Sequence, residues 1–197
     1  MDCFQCSRAV EGSRCGYCGV ALLPGGFRVE RVLAQGPFGR VYRAVAPDGR
    51  PAALKELQFA QVPEARQIEA FEREARTLQA LKHPAIPAFI SHFQEGEGVQ
   101  LRLYLASEFI EGESLTARLA RGTLDEPALR DLATQVLRVL QYLHGQQPPL
   151  LHRDLKPDNL LLRPDGSVVV VDFGSARQLV RGDRTHGSTL VGTFGYM

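Results

Sequence analysis

The chain of 197 residues predicts an α+β fold in two lobes: five strands with one helix inserted among them, then helices and a small hairpin, preceded by a short cysteine-rich ribbon. Three observations carry this expectation. Strand-like segments fill residues 27–57 and return near 88–107, with a single helical stripe between them. Helical periodicity then dominates residues 114–145. All four cysteines fall within the first 18 residues, as two Cys-x-x-Cys pairs.

Composition fits a folded domain of ordinary size, with 44% apolar and 23% charged residues. A net charge of +1 gives no general attraction to nucleic acid or membrane. No stretch reaches the ~18 apolar residues of a membrane span. The first residues, Met1-Asp2-Cys3-Phe4-Gln5-Cys6, lack the basic and apolar regions of a signal peptide, so the cytoplasm is the expected compartment.

Residues 1–20 are read as the ribbon. Cys3, Cys6, Cys15 and Cys18 form two knuckles eight residues apart. In a reducing compartment this spacing favours a tetrahedral thiolate site for structural zinc, against two disulfides or four idle thiols. Gly16 and Gly19 lie where a knuckle turns, and the metal would supply the folding energy that so short a segment lacks. Arg8 and Arg14 are balanced by Asp2 and Glu11, so no basic stripe marks a nucleic-acid surface. Residues 21–26, with Pro24-Gly25-Gly26, read as a linker.

A domain is expected over 27–197, its strand-rich lobe 27–110 and its helical lobe 111–197. Strands are expected from Phe27 to Leu33, over 41–45 and over 52–57, with turns at 34–39 and 47–50. A helix over 64–82 follows from Ile68, Phe71, Ala75, Leu78 and Leu81 at steps of three and four. His83-Pro84 stops it. Strands near 88–94 and 99–107 flank the turn Glu95-Gly96-Glu97-Gly98. Helices are expected over 114–121 and 126–145, the second with Leu129, Leu132, Val136, Leu140 and Leu143 on one side and Pro127 in its first turn.

The chemistry concentrates in residues 150–174. His152-Arg153-Asp154-Leu155-Lys156-Pro157-Asp158-Asn159 is followed by an apolar run and then Asp172-Phe173-Gly174. Two Asp and one Asn on rigid supports suit one base and hard divalent cations. Together these motifs resemble the catalytic loop and DFG motif of the eukaryotic-type (Hanks-type) protein kinases, and Lys156 is typical of their Ser/Thr branch. The resemblance covers residues 27–197, the N-terminal portion of that family, and the chain stops before the family's Ala-Pro-Glu; a fragment of a longer chain is therefore expected.

The resemblance implies a five-stranded antiparallel small lobe and ATP-dependent transfer of the γ-phosphate to protein Ser/Thr hydroxyls. It makes Asp154 the base or orienter of the hydroxyl, Lys156 the offset to developing charge, and Asn159 and Asp172 the magnesium ligands. Lys55 would meet the ATP phosphates, with Glu74 as its partner and Glu72 as the rival. Gly36 and Gly39 match the end of the glycine-rich loop, where the family's first Gly is Ala34 and Pro37 removes one N–H donor. Leu33, Val41, Ala53 and Leu161 would enclose the adenine, Glu108 and Ile110 would bond its edge, and Ser107 would be a small gatekeeper. Thr193 would approach the catalytic loop. Thr189 would be an activating phosphosite with Arg153 as its partner, while Thr185 and Ser188 compete for that role. ATP and protein substrates are the implied partners, and a protein partner for the ribbon stays open. A catalytically inactive kinase-like binding module is the alternative; against it, Lys55, Asp154, Asn159 and Asp172 are all present.

Overall fold

The structure is a computed structural model and describes residue 3 and residues 5–36, 39–58 and 65–178. Pro37, Thr185, Ser188, Thr189 and Thr193 lie outside the described residues.

The residues fall into two compact units. The first runs to Phe71 and includes Phe89–Phe109; the second holds Glu72–Ala88 and everything from Ile110 onward. The cut between Phe109 and Ile110 adjoins the boundary expected at 110, while Glu72–Ala88 groups with the later residues because it bonds to them. The backbone N–H of Lys82 donates to the Tyr142 hydroxyl at 2.8 Å, and that of Val170 to the Ala85 carbonyl at 2.9 Å.

The first unit is built on one antiparallel sheet: β1 (Arg28–Gly36), β2 (Gly39–Val45), β3 (Pro51–Gln58), β4 (Phe89–Glu95) and β5 (Arg102–Glu108), in the order β1-β2-β3-β5-β4. Alternation sorts its faces. Tyr42, Ala44, Ala52, Leu54, Glu56, Tyr104 and Ala106 are buried on one face. Val41, Ala53 and Lys55 alternate with them and are half-buried on the other. In register, Val41 stands opposite Lys55, and Ala53 opposite Ser107.

What buries the first face is the cysteine ribbon. Cys3, Val10, Cys15, Val20, Ala21 and Leu22 form one hydrophobic cluster with Phe27, Tyr42, Ala52, Leu54 and Tyr104. Residues 21–26, read from the sequence as a linker, are therefore packed: Ala21, Leu22 and Pro24 are buried, and Pro24–Gly26 forms a 3-10 turn. The Phe93 ring lies 2.5 Å from where a Cβ on Gly25 would stand, so only glycine fits there. Phe93 itself stacks between Phe27 and Tyr104, at 5.8 and 4.9 Å between ring centres.

The helix α1 (Ala65–Ala80), which begins in the first unit and ends in the second, carries its buried stripe on Phe71, Ala75 and Leu78. A pair of residues, β6 (Glu113–Ser114), leads into α2 (Leu115–Leu119), which is shorter than the expected 114–121 and is capped by the Ser114 hydroxyl accepting from the Ala117 N–H at 3.1 Å. α3 (Glu126–His144) begins at Asp125, whose carboxylate accepts from the Ala128 N–H at 2.9 Å. Val136, Val139 and Leu143 are its buried residues, while Leu129, expected on the buried side, is 54% exposed. β7 (Leu150–Leu151), β8 (Leu160–Leu162), β9 (Val168–Val170) and β10 (Arg177–Gln178) follow. β6, β8 and β9 make one small sheet, and β7 and β10 another. Among the described residues no helix is long and apolar enough to cross a membrane.

Candidate active site

The loop between β7 and β8 is anchored by a buried imidazole. His152 is 3% exposed and packs edge-on against Phe173, with 4.9 Å between ring centres. Its Nδ1 faces the Asp154 backbone N–H at 3.4 Å, and its Nε2 faces the Val171 carbonyl at 3.3 Å. A backbone N–H can only donate and a carbonyl can only accept, so Nε2 carries the proton and Nδ1 does not. Burial pushes the imidazole pKa below its ordinary value, although the Val171 carbonyl and the charges of Asp172 and Asp154 oppose that. A neutral ring is the form that both bonds require.

His152 thereby joins the loop to the strand that precedes the second motif. Two non-glycine residues flank this junction with left-handed backbones: Arg153 at φ 67° and Asp172 at φ 62°. Such conformations cost free energy and cluster at functional sites.

Four sequence-predicted residues come together here. Lys156 Nζ pairs with Asp154 Oδ2 at 3.0 Å. The Asn159 side-chain amide donates to the Asp154 carbonyl at 2.8 Å and to its Oδ2 at 3.2 Å. The Val171 N–H donates to the Asn159 carbonyl at 2.9 Å, which sets Asp172 one residue beyond Asn159's backbone. The donor set fits a hard cation: with its NH2 engaged by Asp154, Asn159 presents a carbonyl oxygen, and Asp172 supplies a carboxylate.

Glu74 also belongs to this unit. It is 7% exposed, and its Oε2 lies 3.1 Å from where a Cβ on Gly174 would stand. Glu72, its rival, is exposed and pairs along the helix with Arg76 at 3.2 Å. Leu161 on β8 is half-buried and Ile110 is buried.

In the first unit the strand β3 carries Ala53 and Lys55 on the face opposite the ribbon, with Val41 beside Lys55 on β2 and Glu108 at the end of β5. Leu33 is 36% exposed on β1. The two glycines of the β1–β2 turn differ. A Cβ on Gly39 would stand 1.9 Å from the Glu56 carbonyl, so the close approach of β2 to β3 demands glycine there; among the described residues nothing lies within 4 Å of one on Gly36.

The four cysteine sulfurs lie within 4.8 Å of one another, with Cys3 to Cys18 at 3.5 Å and Cys6 to Cys15 at 3.7 Å. None is in a disulfide. A tetrahedron with zinc–sulfur bonds of about 2.3 Å has edges of about 3.8 Å, so the thiols suit zinc. Backbone N–H groups of Cys18 and Tyr17 hold the Cys15 thiol down to about 6, against the opposing effect of burial. Each knuckle closes by the same bond, from Ser7 N–H to the Cys3 carbonyl at 2.8 Å and from Gly19 N–H to the Cys15 carbonyl at 2.9 Å. The left-handed residues are Ser7 (φ 56°) and Gly19 (φ 69°). Gly16, also expected to turn there, does not have a positive φ.

One buried charged cluster escaped the sequence reading. Glu56, the neighbour of Lys55, is fully buried. Its Oε1 accepts from Arg14 at 2.5 Å and Tyr104 at 2.8 Å, and its Oε2 from Tyr42 at 2.5 Å and Gln58 at 2.8 Å. Burial pushes Glu56 up, yet the bonds from Tyr42 and Arg14 outweigh it and hold the carboxylate below its ordinary pKa. The available signal was a Glu in the buried register of a strand, after Ala52 and Leu54.

The family described as protein kinase domain matches residues 27–197, and the chain belongs to it. It is 36% identical over 192 residues to serine/threonine-protein kinase PknA of Nostoc sp., covering 89% of this chain and 33% of that protein. It is 37% identical over 181 residues to serine/threonine-protein kinase PknA of Mycobacterium tuberculosis, covering 89% and 41%. Serine/threonine-protein kinase C of Synechocystis sp. is 36% identical over 191 residues, covering 89% and 35%. The chain thus spans about a third to two fifths of the length of these relatives.

Proposed function

We propose that this chain carries the nucleotide and catalytic-loop portion of an ATP- and magnesium-dependent protein serine/threonine kinase. The observation that carries the reading is the Asp154–Lys156–Asn159 constellation, with Asp172 fixed one residue beyond the bond to Asn159. Asp154 accepts or orients the substrate hydroxyl proton, and Lys156 offsets charge on the transferring group. Asn159 and Asp172 hold magnesium, which neutralises charge on the phosphate oxygens. Lys55 carries the positive charge for the nucleotide phosphates, and Glu74 is the buried carboxylate assigned to the same machinery. Leu33, Val41, Ala53 and Leu161 are assigned to the adenine, with the backbones of Glu108 and Ile110 at its edge. Gly36, Gly39 and Thr193 complete the assignment.

The cysteine ribbon is proposed to hold one structural zinc, in keeping with a cytoplasmic protein whose thiols stay reduced. The exposed Tyr17, with the Arg8 guanidinium 4.3 Å above its ring, is the ribbon surface left for a protein partner.

The test is phosphoryl transfer to a generic Ser/Thr substrate by protein carrying this chain with a complete kinase domain. Wild type transfers phosphate; Asp154→Asn and Lys55→Met do not, and Asp154→Asn still binds nucleotide because Asp154 acts in the transition state. Wild-type transfer by Asp154→Asn removes the assignment. A wild-type protein that binds ATP and transfers nothing is the inactive binding module instead.

A further inference from the structure

The residue next to Lys55 is held by the metal ribbon. Glu56 is a fully buried carboxylate, and a buried charge is tolerated only when it is paired and fully hydrogen-bonded. Four donors meet its two oxygens: Arg14, Tyr104, Tyr42 and Gln58. Among these donors Arg14 is the one cation, and it comes from the ribbon, 42 residues away.

Arg14 is itself fastened on the ribbon side. It precedes the ligand Cys15, its Nη1 donates to the Gly19 carbonyl at 2.6 Å, and its backbone bridges to Ala21. The Gly19 N–H in turn closes the Cys15 knuckle at 2.9 Å. The guanidinium also donates to the Tyr104 hydroxyl at 2.5 Å, so one planar fork grips the knuckle, β5 and β3 together.

On β3, Glu56 lies between this grip and two features proposed for nucleotide binding. Lys55 is its chain neighbour and projects to the other face. The Glu56 carbonyl is the group that Gly39 must approach, at the start of β2. Fixing Glu56 therefore fixes both the lysine strand and the end of the glycine turn.

We propose that Arg14 is a positioning residue for Lys55, acting through Glu56, and that the metal-loaded ribbon sets the order of the phosphate-binding strand. Loss of the metal frees the Cys15 knuckle, withdraws Arg14 and leaves Glu56 as an uncompensated charge under β3. The assignment rests on the reading of Lys55 as the phosphate-binding lysine.

The experiment uses the full chain with zinc bound, residue-resolved hydrogen exchange, metal analysis and titration with a fluorescent ATP analogue in magnesium. Arg14→Ala is expected to keep its zinc, to speed exchange of the β3 amides around Lys55 by on the order of tenfold, and to leave β8 and β9 unchanged. Arg14→Lys, which keeps the charge and loses the fork, falls between Ala and wild type. Zinc removal by a chelator speeds the same β3 amides and, beyond them, those of the ribbon and of the sheet face it covers. Analogue affinity falls on the order of tenfold in Arg14→Ala, and the same substitution has no further effect in a Lys55→Met background.

Unchanged β3 exchange, a uniform increase across both units, or zinc loss in Arg14→Ala overturns the positioning role. So does an equal loss of affinity with and without Lys55. If Lys55→Met leaves affinity unaltered, or no form binds the analogue, the phosphate role of Lys55 fails, and selective β3 exchange still upholds the link from Arg14 to Glu56.

Discussion

The side-chain amide of Asn159 donates to two oxygens of Asp154, the backbone carbonyl at 2.8 Å and carboxylate Oδ2 at 3.2 Å. The same Oδ2 meets Lys156 Nζ at 3.0 Å. One residue thus orients the proposed base and keeps its own carbonyl oxygen for the proposed magnesium. The two roles use opposite ends of one amide, which neither Asp nor Ala can reproduce.

Asn159→Ala and Asn159→Asp are accordingly expected to lower transfer by about 100-fold or more, the scale of losing close positioning. Ala removes both the tie and the ligand. Asp keeps a ligand oxygen but places a second carboxylate against Asp154, which disfavours both ionised forms. Steady-state assays against magnesium concentration separate them: the Asp variant recovers in part as magnesium rises, and the Ala variant does not. Equal activity of Asn159→Ala and wild type would remove Asn159 from the site.

Metal analysis of the purified chain should give close to one zinc per molecule, and Cys15→Ser should lower it sharply. Because Cys3, Cys15, Val20 and Leu22 share a core with Tyr42, Leu54 and Tyr104, zinc removal should also lower the melting temperature of the strand-rich unit. Structural zinc contributes on the order of 10 kcal/mol to small metal-dependent folds. No bound metal, together with four freely titrating thiols, would sink this expectation.

The meeting of Asp154, Lys156 and Asn159 was legible because all three sit in one short run of sequence, where residue types and spacing suffice. The double knuckle was legible for the same reason, although its first left-handed residue is Ser7 and not a glycine. The ribbon's place against the sheet was not legible: Pro24-Gly25-Gly26 looks like a linker, and the apolar contacts of Val20 and Leu22 depend on distant strands. The strand register of Glu56 hinted at burial, but its partners were not legible because Tyr42, Arg14 and Tyr104 stand 14, 42 and 48 residues from it. Leu129 fits a buried helical stripe by period, yet among the described residues it stays more than half exposed. Periodicity names a face and does not say what covers it.

The glycine turn yields a contrast between two residues that the motif treats alike. Gly39→Ala drives a methyl group into the Glu56 carbonyl, 1.9 Å from the Cβ position, and should cost about 1–3 kcal/mol, the usual range for overpacking. Gly36→Ala meets nothing within 4 Å among the described residues and should leave stability within about 0.5 kcal/mol of wild type. Denaturant melts of the two variants decide this, and a Gly36→Ala variant as unstable as Gly39→Ala would contradict it. If Gly36 also serves phosphate approach, Gly36→Ala should weaken nucleotide binding at unchanged stability.

The pH dependence of stability should report His152. Its folded pKa lies below the ordinary imidazole value of about 6.5, chiefly through burial, with the Val171 carbonyl, Asp172 and Asp154 pulling the other way. The unfolded chain therefore binds a proton at a pH where the folded chain does not. By linkage, the stability due to the neutral ring is fully present above about 6.5 and is lost as pH falls from there toward the folded value. Protonation of the folded ring, which sets in only at its lowered pKa, removes the acceptor at Nδ1 that faces the Asp154 N–H, so the loop carrying Asp154 loosens at the acid end of this range and below it. Melts of wild type and His152→Gln between pH 7.5 and 5 should show the wild type losing the greater share of its stability on acidification. Parallel curves for the two proteins would mean that burial of this imidazole is not coupled to folding.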